Sequence, residues 1–450
     1  MRRRDFLKLS GFVLLGTACG CPSNSEDAIN TDETIIVIGA GMAGLGAARR
    51  LHDVGYSVTV LEGRERVGGR VFTSRAWEGA PVDLGASWIH GTARNPLTQM
   101  AAEAGVETAP TDYDNGLVYD VDGTLAADAL FEEMERLARR LQDEADPEEG
   151  QSLLDALVAT ELWQSLSERE RQWAQHLLNT NIEHEFSGGL DELDGLNYDD
   201  AEAFSGGDVV FPDGYGRLVE HLARGLDLRL GEVVQRVERS AEQVVVVTDS
   251  GRFEADRVVV TLPIGVLKTD AVAFEPPLPQ AKQAAIEAMG AGLLDKLFVR
   301  FPSVFWDQKA EFLSQVSVKP GRWNEWLNIA AYTGEPILLG FNAAGYAREA
   351  AELSDEALVA DAMDVLRKLY GPNIPEPIEM QRSNWSKDPF ALCAYSFNAI
   401  GADANTRRTL ARPVASQLYF AGEATALKYP STVHGAYLSG QRAAAEIMGL

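Results

Sequence analysis

A chain of 450 residues with 46% hydrophobic and 24% charged side chains can bury a sizeable core in two or three domains, which excludes a disordered or low-complexity protein. Its formal net charge of -27 argues against a nucleic-acid partner; a negative field of that size suits cationic substrates, and equally plain solubility. Three cysteines and six scattered histidines offer neither a disulfide framework nor metal-ligand spacing, so no metal is expected.

At the start, Arg2-Arg3-Arg4-Asp5-Phe6-Leu7-Lys8 precedes an apolar run, Leu9 to Ala18, too short to cross a bilayer. Residues 1–21 therefore read as a leader. It resembles a twin-arginine export signal, with Arg2 where Ser or Thr is usual, and so implies a bacterial-type protein exported to the periplasm or another extracytoplasmic compartment. Leu15 to Cys21 is similar to a lipobox, although Leu15 sits one place too far from Cys19. The matching expectation is membrane attachment through a lipidated Cys19 or Cys21. Residues 22–33 are a polar linker, and beyond the leader only Cys393 remains.

Ile35 to Ile38 is a β-branched run suited to a strand buried on both faces of a parallel sheet. Gly39, Gly41 and Gly44 follow as G-x-G-x-x-G: one glycine for a tight turn, one for backbone approach to a pyrophosphate, one for helix-on-sheet packing. A helix over Met42 to Asp53 would aim its N-terminal N–H groups at the phosphates. A second strand, Ser57 to Leu61, ends at Glu62, whose carboxylate can accept from ribose hydroxyls. This order describes a dinucleotide site and does not by itself separate NAD from FAD. The second glycine turn, Arg66-Val67-Gly68-Gly69-Arg70, suits another approach to the pyrophosphate, and the pairing resembles FAD enzymes carrying R-x-G-G-R-x-x-T.

Asp83 to Gly91 reads D-L-G-A-S-W-I-H-G, with glycines at both ends of an aromatic segment, a pattern that suggests close packing against something flat. It resembles the flavin-contacting segment of polyamine oxidases and, more loosely, of histone lysine demethylases on the same amine oxidase fold. The resemblance implies an α/β protein with a Rossmann-type FAD-binding domain built from discontinuous segments, residues 34–94, 206–273 and 411–450. A helical lobe over 95–205 and a sheet-containing, mixed α+β substrate domain over 274–410 would complete it. Gly85, Ala86, Ser87 and Trp88 would pass beside the isoalloxazine, with His90 near the substrate tunnel or, alternatively, bonded to backbone in the core.

Residues 95–205 carry helical spacing in Ala127 to Asp143 and Leu153 to Leu178. Glu183 or Glu185 could supply negative charge to a cationic substrate there, unless both are solvated helix-end acids. Further on, Val234 is implied to bond adenine through its backbone, and Thr261 to Lys268 is similar to the family's strand-to-loop crossing. In Leu293 to Phe301, Leu297, Val299 and Phe301 share one face, while Lys296, Phe298 and Arg300 share the other. Lys296 is implied to hold a water against flavin N5, the alternative being a solvated strand edge. In monoamine oxidases a cysteine directly before the cage tyrosine bonds the flavin; here Ala394 holds that place. Cys393, one residue early, should point the other way along a strand, so the FAD is expected to be non-covalent. Tyr395 would flank the substrate over the flavin, or else be an ordinary buried tyrosine.

The last motif runs from Leu418 to Tyr437. Resemblance puts Gly422 and Glu423 on the ribityl chain, and the helix start at Thr432 and Val433 on the N1 edge of the flavin, where a helix dipole favours negative charge. Thr432 also replaces the second cage aromatic of monoamine oxidases. The implied function is an FAD-dependent amine oxidase moving hydride from a C–H next to nitrogen to flavin N5, with imine hydrolysis and reoxidation by O2 to H2O2. A small cationic amine of polyamine type is the favoured substrate. The alternatives are an L-amino-acid or monoamine oxidase, or a flavin-binding protein without turnover. Amino acid oxidases carry an arginine where Ser87-Trp88 stands; Arg94 or Arg300 would have to replace it.

Overall fold

The computed structural model describes residues 31–450; the leader read over residues 1–21 and most of the linker lie outside them. Strand Thr34–Ile38 is the centre of a five-stranded, all-parallel sheet. The order across it is Leu418–Phe420, Arg257–Val260, Thr34–Ile38, Ser57–Glu62 and Asp227–Leu230. The β-branched run is buried on both sides, and the two sides meet different layers. Ile35 and Val37 pack with Leu45, Ala47 and Ala444 of helices Met42–Val54 and Val433–Met448. Ile36 and Ile38 pack with Val237, Val244 and Val246 of a second, four-stranded sheet. Each of the Ile, Val and Leu side chains contributes roughly 1.5–3 kcal/mol by leaving water.

A six-stranded sheet forms the other half, in the order Glu379–Arg382, Leu294–Arg300, Ile337–Ala343, Glu325–Asn328, Phe312–Gln315 and Gly116–Tyr119. All its pairs are antiparallel except the last. One face carries Leu297, Val299, Phe301 and Trp326 against Leu366 and its neighbours on helix Asp355–Tyr370. The opposite face, with Phe298, Leu339 and Phe341, packs on Trp77, Val82 and Leu84 from the nucleotide half. Lys296 shares that second face, and so points into the junction between the halves.

Residues 95–205 are not helical throughout. Gly116–Tyr119 pairs in parallel with Phe312–Gln315, and Ala109–Thr111 pairs with Asp208–Val210. Between loops, the helices of this segment include Asp128–Glu144 and Glu168–Leu178. The latter runs through a π-turn, Asn179–Glu183, into a last turn at His184–Phe186. Such a turn inserts an extra residue and rotates everything after it.

Candidate active site

A cavity of about 730 Å³ lies along the junction of the halves. One end is lined by Gly39, Gly41, Glu62 and Val234, the middle by Arg70, Ala86, Trp88, Lys296 and Thr432, and the far part by Tyr113, His184, Glu185, Phe341 and Tyr395.

At the first end, Gly39 turns the chain with φ of 101° beneath Thr261, whose hydroxyl would lie 2.5 Å from an added Cβ. On Gly44 an added Cβ would fall 1.9 Å from the Gly39 carbonyl oxygen, so helix and turn can touch only because residue 44 has no side chain. Gly41 is different: its nearest neighbour would be the Gly68 carbonyl oxygen at 3.9 Å, which leaves that side of the turn open to the cavity. The buried Glu62 carboxylate accepts from Ala40 N–H at 2.7 Å and Arg64 N–H at 3.0 Å. Each of its oxygens keeps a lone pair for a further donor.

In the middle, Arg70 donates to Oε1 of Glu423 at 3.0 Å, and Oε2 of Glu423 accepts from the Ser396 hydroxyl at 2.6 Å. Buried Arg407 donates to the same hydroxyl at 2.9 Å. Gly422, with φ of 136°, opens the turn before Glu423. Helix Val433–Met448 begins on this wall, capped by Thr432, whose hydroxyl accepts from Gly435 N–H at 2.9 Å. The glycines flanking the aromatic segment meet protein backbone and not a flat group. A Cβ on Gly85 would fall 1.8 Å from the Arg70 carbonyl oxygen, and one on Gly91 2.1 Å from that of Phe204.

Lys296 is buried, and its Nζ donates to the carbonyls of Asp83 at 3.0 Å and Gly85 at 2.5 Å and to the Ser87 hydroxyl at 2.5 Å. Burial pushes this ammonium down to about 8, against the pull of the Asp83 carboxylate. Its Nζ also lies 5.7 Å from the centre of the Trp88 ring. Trp88 stands 6.0 Å from Phe341, and Phe341 6.1 Å from His184, so an aromatic wall continues away from the lysine. Tyr395 donates through its hydroxyl to the His184 carbonyl at 2.5 Å. Burial, reinforced by Glu185, raises the phenol well above its ordinary value and keeps it neutral. His90 is neither in the core nor bonded to backbone through its ring: Nδ1 meets Asp208 at 2.8 Å, and the residue lines the cavity.

The π-turn separates the two acids of the helix end. Glu183 turns from the cavity to accept from the Asn179 amide at 2.6 Å and Leu190 N–H at 3.0 Å. Burial raises its carboxyl above the usual range. Glu185 is exposed and lines the cavity. Asp199, Asp200 and Glu202 line it too, and no sequence pattern drew attention to them. Their signal was a cluster of acids in a stretch without helical spacing. Asp199 is raised to about 7 by burial and by the negative charges of Glu185 and Asp200. Glu325 was missed as well, although a carboxylate between Trp323-Asn324 and Trp326 in an apolar strand is an anomaly. It is buried, lines the cavity and stands 3.8 Å from Nδ1 of His184. Cys393 is buried in the core behind Arg70, which approaches its sulfur at 3.8 Å, while Ala394 and Tyr395 face the cavity.

Residues 42–448 match the family described as flavin containing amine oxidoreductase. The chain belongs to that family. This amine oxidase is 35% identical to "Polyamine oxidase 4" of Oryza sativa subsp. japonica, across 92% of its own length and 88% of the relative's. It is 34% identical to "Lysine-specific histone demethylase 1 homolog 2" of Arabidopsis thaliana, across 99% of its length and 62% of that protein's. Among solved structures, a putrescine oxidase double mutant redesigned for cofactor binding superposes with a TM-score of 0.76 at 23% identity, covering 93% of this chain and 99% of that one. The fold is the amine oxidase fold, and the cofactor is FAD. The amine oxidase's own residues fit that group: the open side of Gly41, the spare lone pairs of Glu62 and the Arg70–Glu423 pair occupy successive positions along one cavity. Arg300 is engaged by Glu335 at 2.9 Å and Glu379 at 3.1 Å, and neither it nor Arg94 lines the cavity.

Proposed function

We propose that this amine oxidase acts on di- and polyamines. The observation that carries the reading is the union, in one cavity, of an acidic rim and an aromatic interior. Glu185, Asp200 and Glu202 are exposed at the cavity, whereas Trp88, Phe341 and Tyr395 line its inner part. Exposed acids concentrate cations and hold nitrogens that remain charged. The aromatic part withholds water, which favours the neutral form of the nitrogen that enters it and leaves its lone pair available. The arginines that line the cavity are engaged within the protein, Arg64 by Asp388, Arg70 by Glu423 and Arg407 by Asn398, which disfavours their holding an amino acid carboxylate. The similarity to polyamine oxidases and the likeness in fold to putrescine oxidase support the same reading.

FAD, when bound, supplies the two-electron chemistry: it accepts hydride from the carbon next to nitrogen and passes the electrons to O2, releasing H2O2. The chain binds, orients and desolvates. Gly39, Gly41 and Gly44 shape the pyrophosphate turn, Glu62 takes the ribose hydroxyls, and Val234 lies where adenine would meet backbone. Gly422, Glu423 and Arg70 hold the ribityl chain, and Thr432 and Val433 turn a helix start toward the ring. Ala86, Ser87 and Trp88 border the ring, and Lys296 places a cation there that assists oxygen reduction. Because Cys393 is in the core behind Arg70, the cofactor is held without a covalent bond.

The test is peroxide release from putrescine, spermidine, spermine, their acetylated forms, aryl monoamines and amino acids. Turnover of the amines with two or more nitrogens is expected. Preference for an aryl monoamine or an amino acid would overturn the assignment, and bound flavin that no amine bleaches anaerobically would indicate a protein without turnover.

Export through residues 1–21, with lipid attachment at Cys19 or Cys21, belongs to the same proposal and is supported by residue pattern alone. Replacing Arg3 and Arg4 by lysine should retain the protein in the cytoplasm. Unchanged export would remove the twin-arginine assignment.

A further inference from the structure

His90 follows strand Trp88–Ile89 and reaches the cavity with one ring nitrogen already committed. Nδ1 stands 2.8 Å from Oδ2 of Asp208. The same carboxylate accepts the Gly91 N–H at 2.8 Å through Oδ1 and the Tyr113 hydroxyl at 3.2 Å through Oδ2. The Asp208 side chain is 4% exposed and that of His90 35%, so the acid is the fixed partner and the imidazole reaches open space. An ionised carboxylate only accepts hydrogen bonds, so Nδ1 carries the proton. In the neutral ring Nε2 is then a lone-pair acceptor. Trp88, 6.3 Å away and inclined by 17°, stacks on the imidazole and opposes its rotation.

We propose that Asp208 is a positioning residue for the substrate: through His90 it presents a hydrogen-bond acceptor to the N–H of the bound amine. This rests on the amine-substrate reading above. A neutral amine whose N–H donates to Nε2 keeps its lone pair free for the oxidation. An amine facing an Nε2–H donor would spend that lone pair on the hydrogen bond and bind unproductively. Asp208 thus chooses which of two tautomers the substrate meets.

Asp208→Asn inverts the choice. The asparagine oxygen can still accept the Gly91 N–H, which turns the amide NH2 to the place of Oδ2, where it donates to Nδ1 and to the Tyr113 oxygen and drives the His90 proton to Nε2. With 15N-histidine labelling, and His90→Gln to assign the resonance, the wild type should show the Nδ1–H tautomer and Asp208→Asn the Nε2–H tautomer. In steady state with spermidine, kcat of Asp208→Asn should fall by at least about tenfold while KM moves less than about threefold. FAD content and melting temperature should stay unchanged. A wild-type ring in the Nε2–H form, or Asp208→Asn with wild-type kcat, would overturn the proposal. Should Asp208→Asn fail to fold, the wild-type resonance alone decides. If the wild type oxidises no amine, it is the substrate reading that fails, and the tautomer measurement still reports whether Asp208 sets the ring.

Discussion

Nζ of Lys296 donates to the carbonyl oxygen of Gly85 at 2.5 Å, fastening the six-stranded sheet to a segment that lines the cavity. A buried cation at this point is placed to stabilise negative charge as oxygen is reduced. Lys296→Met should keep its FAD and lose at least about tenfold in the rate of flavin reoxidation by O2. Stopped-flow mixing of the reduced protein with oxygen checks this. The sign with pH follows from burial: with the ammonium pushed down to about 8, the charge is present below that pH and lost as pH rises through it. Reoxidation of the wild type should therefore slow above pH 8, and a flat profile would remove the lysine from the oxygen step.

Two glycines of one motif should fail differently. Gly44→Ala drives a methyl to 1.9 Å from the Gly39 carbonyl oxygen, so helix and turn must separate, and melting temperature and soluble yield should both drop. Gly41→Ala meets nothing closer than 3.9 Å, so the fold should persist while the ratio of flavin to protein absorbance falls. Equal loss of stability in both would mean that the open side of Gly41 is not a cofactor surface.

Glu62→Ala removes an acceptor from Ala40 N–H as well as the acceptor proposed for the ribose hydroxyls. Hydrogen bonds to a charged acceptor are worth about 1.5–3 kcal/mol, so FAD should dissociate about ten- to a hundredfold more readily. Fluorescence of released FAD during dilution measures it. A full flavin complement would refute the contact.

Asp199 should make amine capture depend on pH. Burial and its acidic neighbours raise it to about 7, so it is neutral below that pH and ionised above it. The affinity for a cationic amine should improve as pH rises from 6 to 8, by about threefold for one partly screened charge. Asp199→Asn should flatten that dependence. The stability linkage has the opposite sign. A carboxyl raised in the folded state contributes stability that is complete below its ordinary range and lost as pH rises through about 7. Asp199→Asn should therefore melt higher than the wild type at pH 8.

Local chemistry made the nucleotide end readable. A β-branched run announces a doubly covered strand, and three glycines at fixed spacing describe a turn in which the close approach of Gly44 to Gly39 is local in sequence. The alternation Lys296, Phe298 against Leu297, Val299 likewise put the lysine on the face of Phe298, and the structure shows that this face meets the junction. Gly116–Tyr119 was less legible because its partner, Phe312–Gln315, is remote in sequence and pairing at such a distance leaves no local trace. Glu183 and Glu185 could not be told apart, since a π-turn decides which of them meets the cavity and spacing counts presuppose an unbroken helix. Asp208 went unnoticed because its meaning comes from His90, Gly91 and Tyr113, which reach it from other parts of the chain.

The order of strands in the parallel sheet bears on biosynthesis. Its central strand leaves the ribosome early, yet one flanking strand, Arg257–Val260, comes from the middle of the chain, and the outermost strand and the covering helix, Leu418–Phe420 and Val433–Met448, come last. At roughly 5–20 residues per second, the apolar side chains of Ile35 to Ile38 wait tens of seconds for their partners. A nascent fragment ending before residue 418 therefore has no complete pocket to offer a flavin. Complete cofactor loading waits for the C-terminal segment, and until then the apolar faces of the central strand stay uncovered.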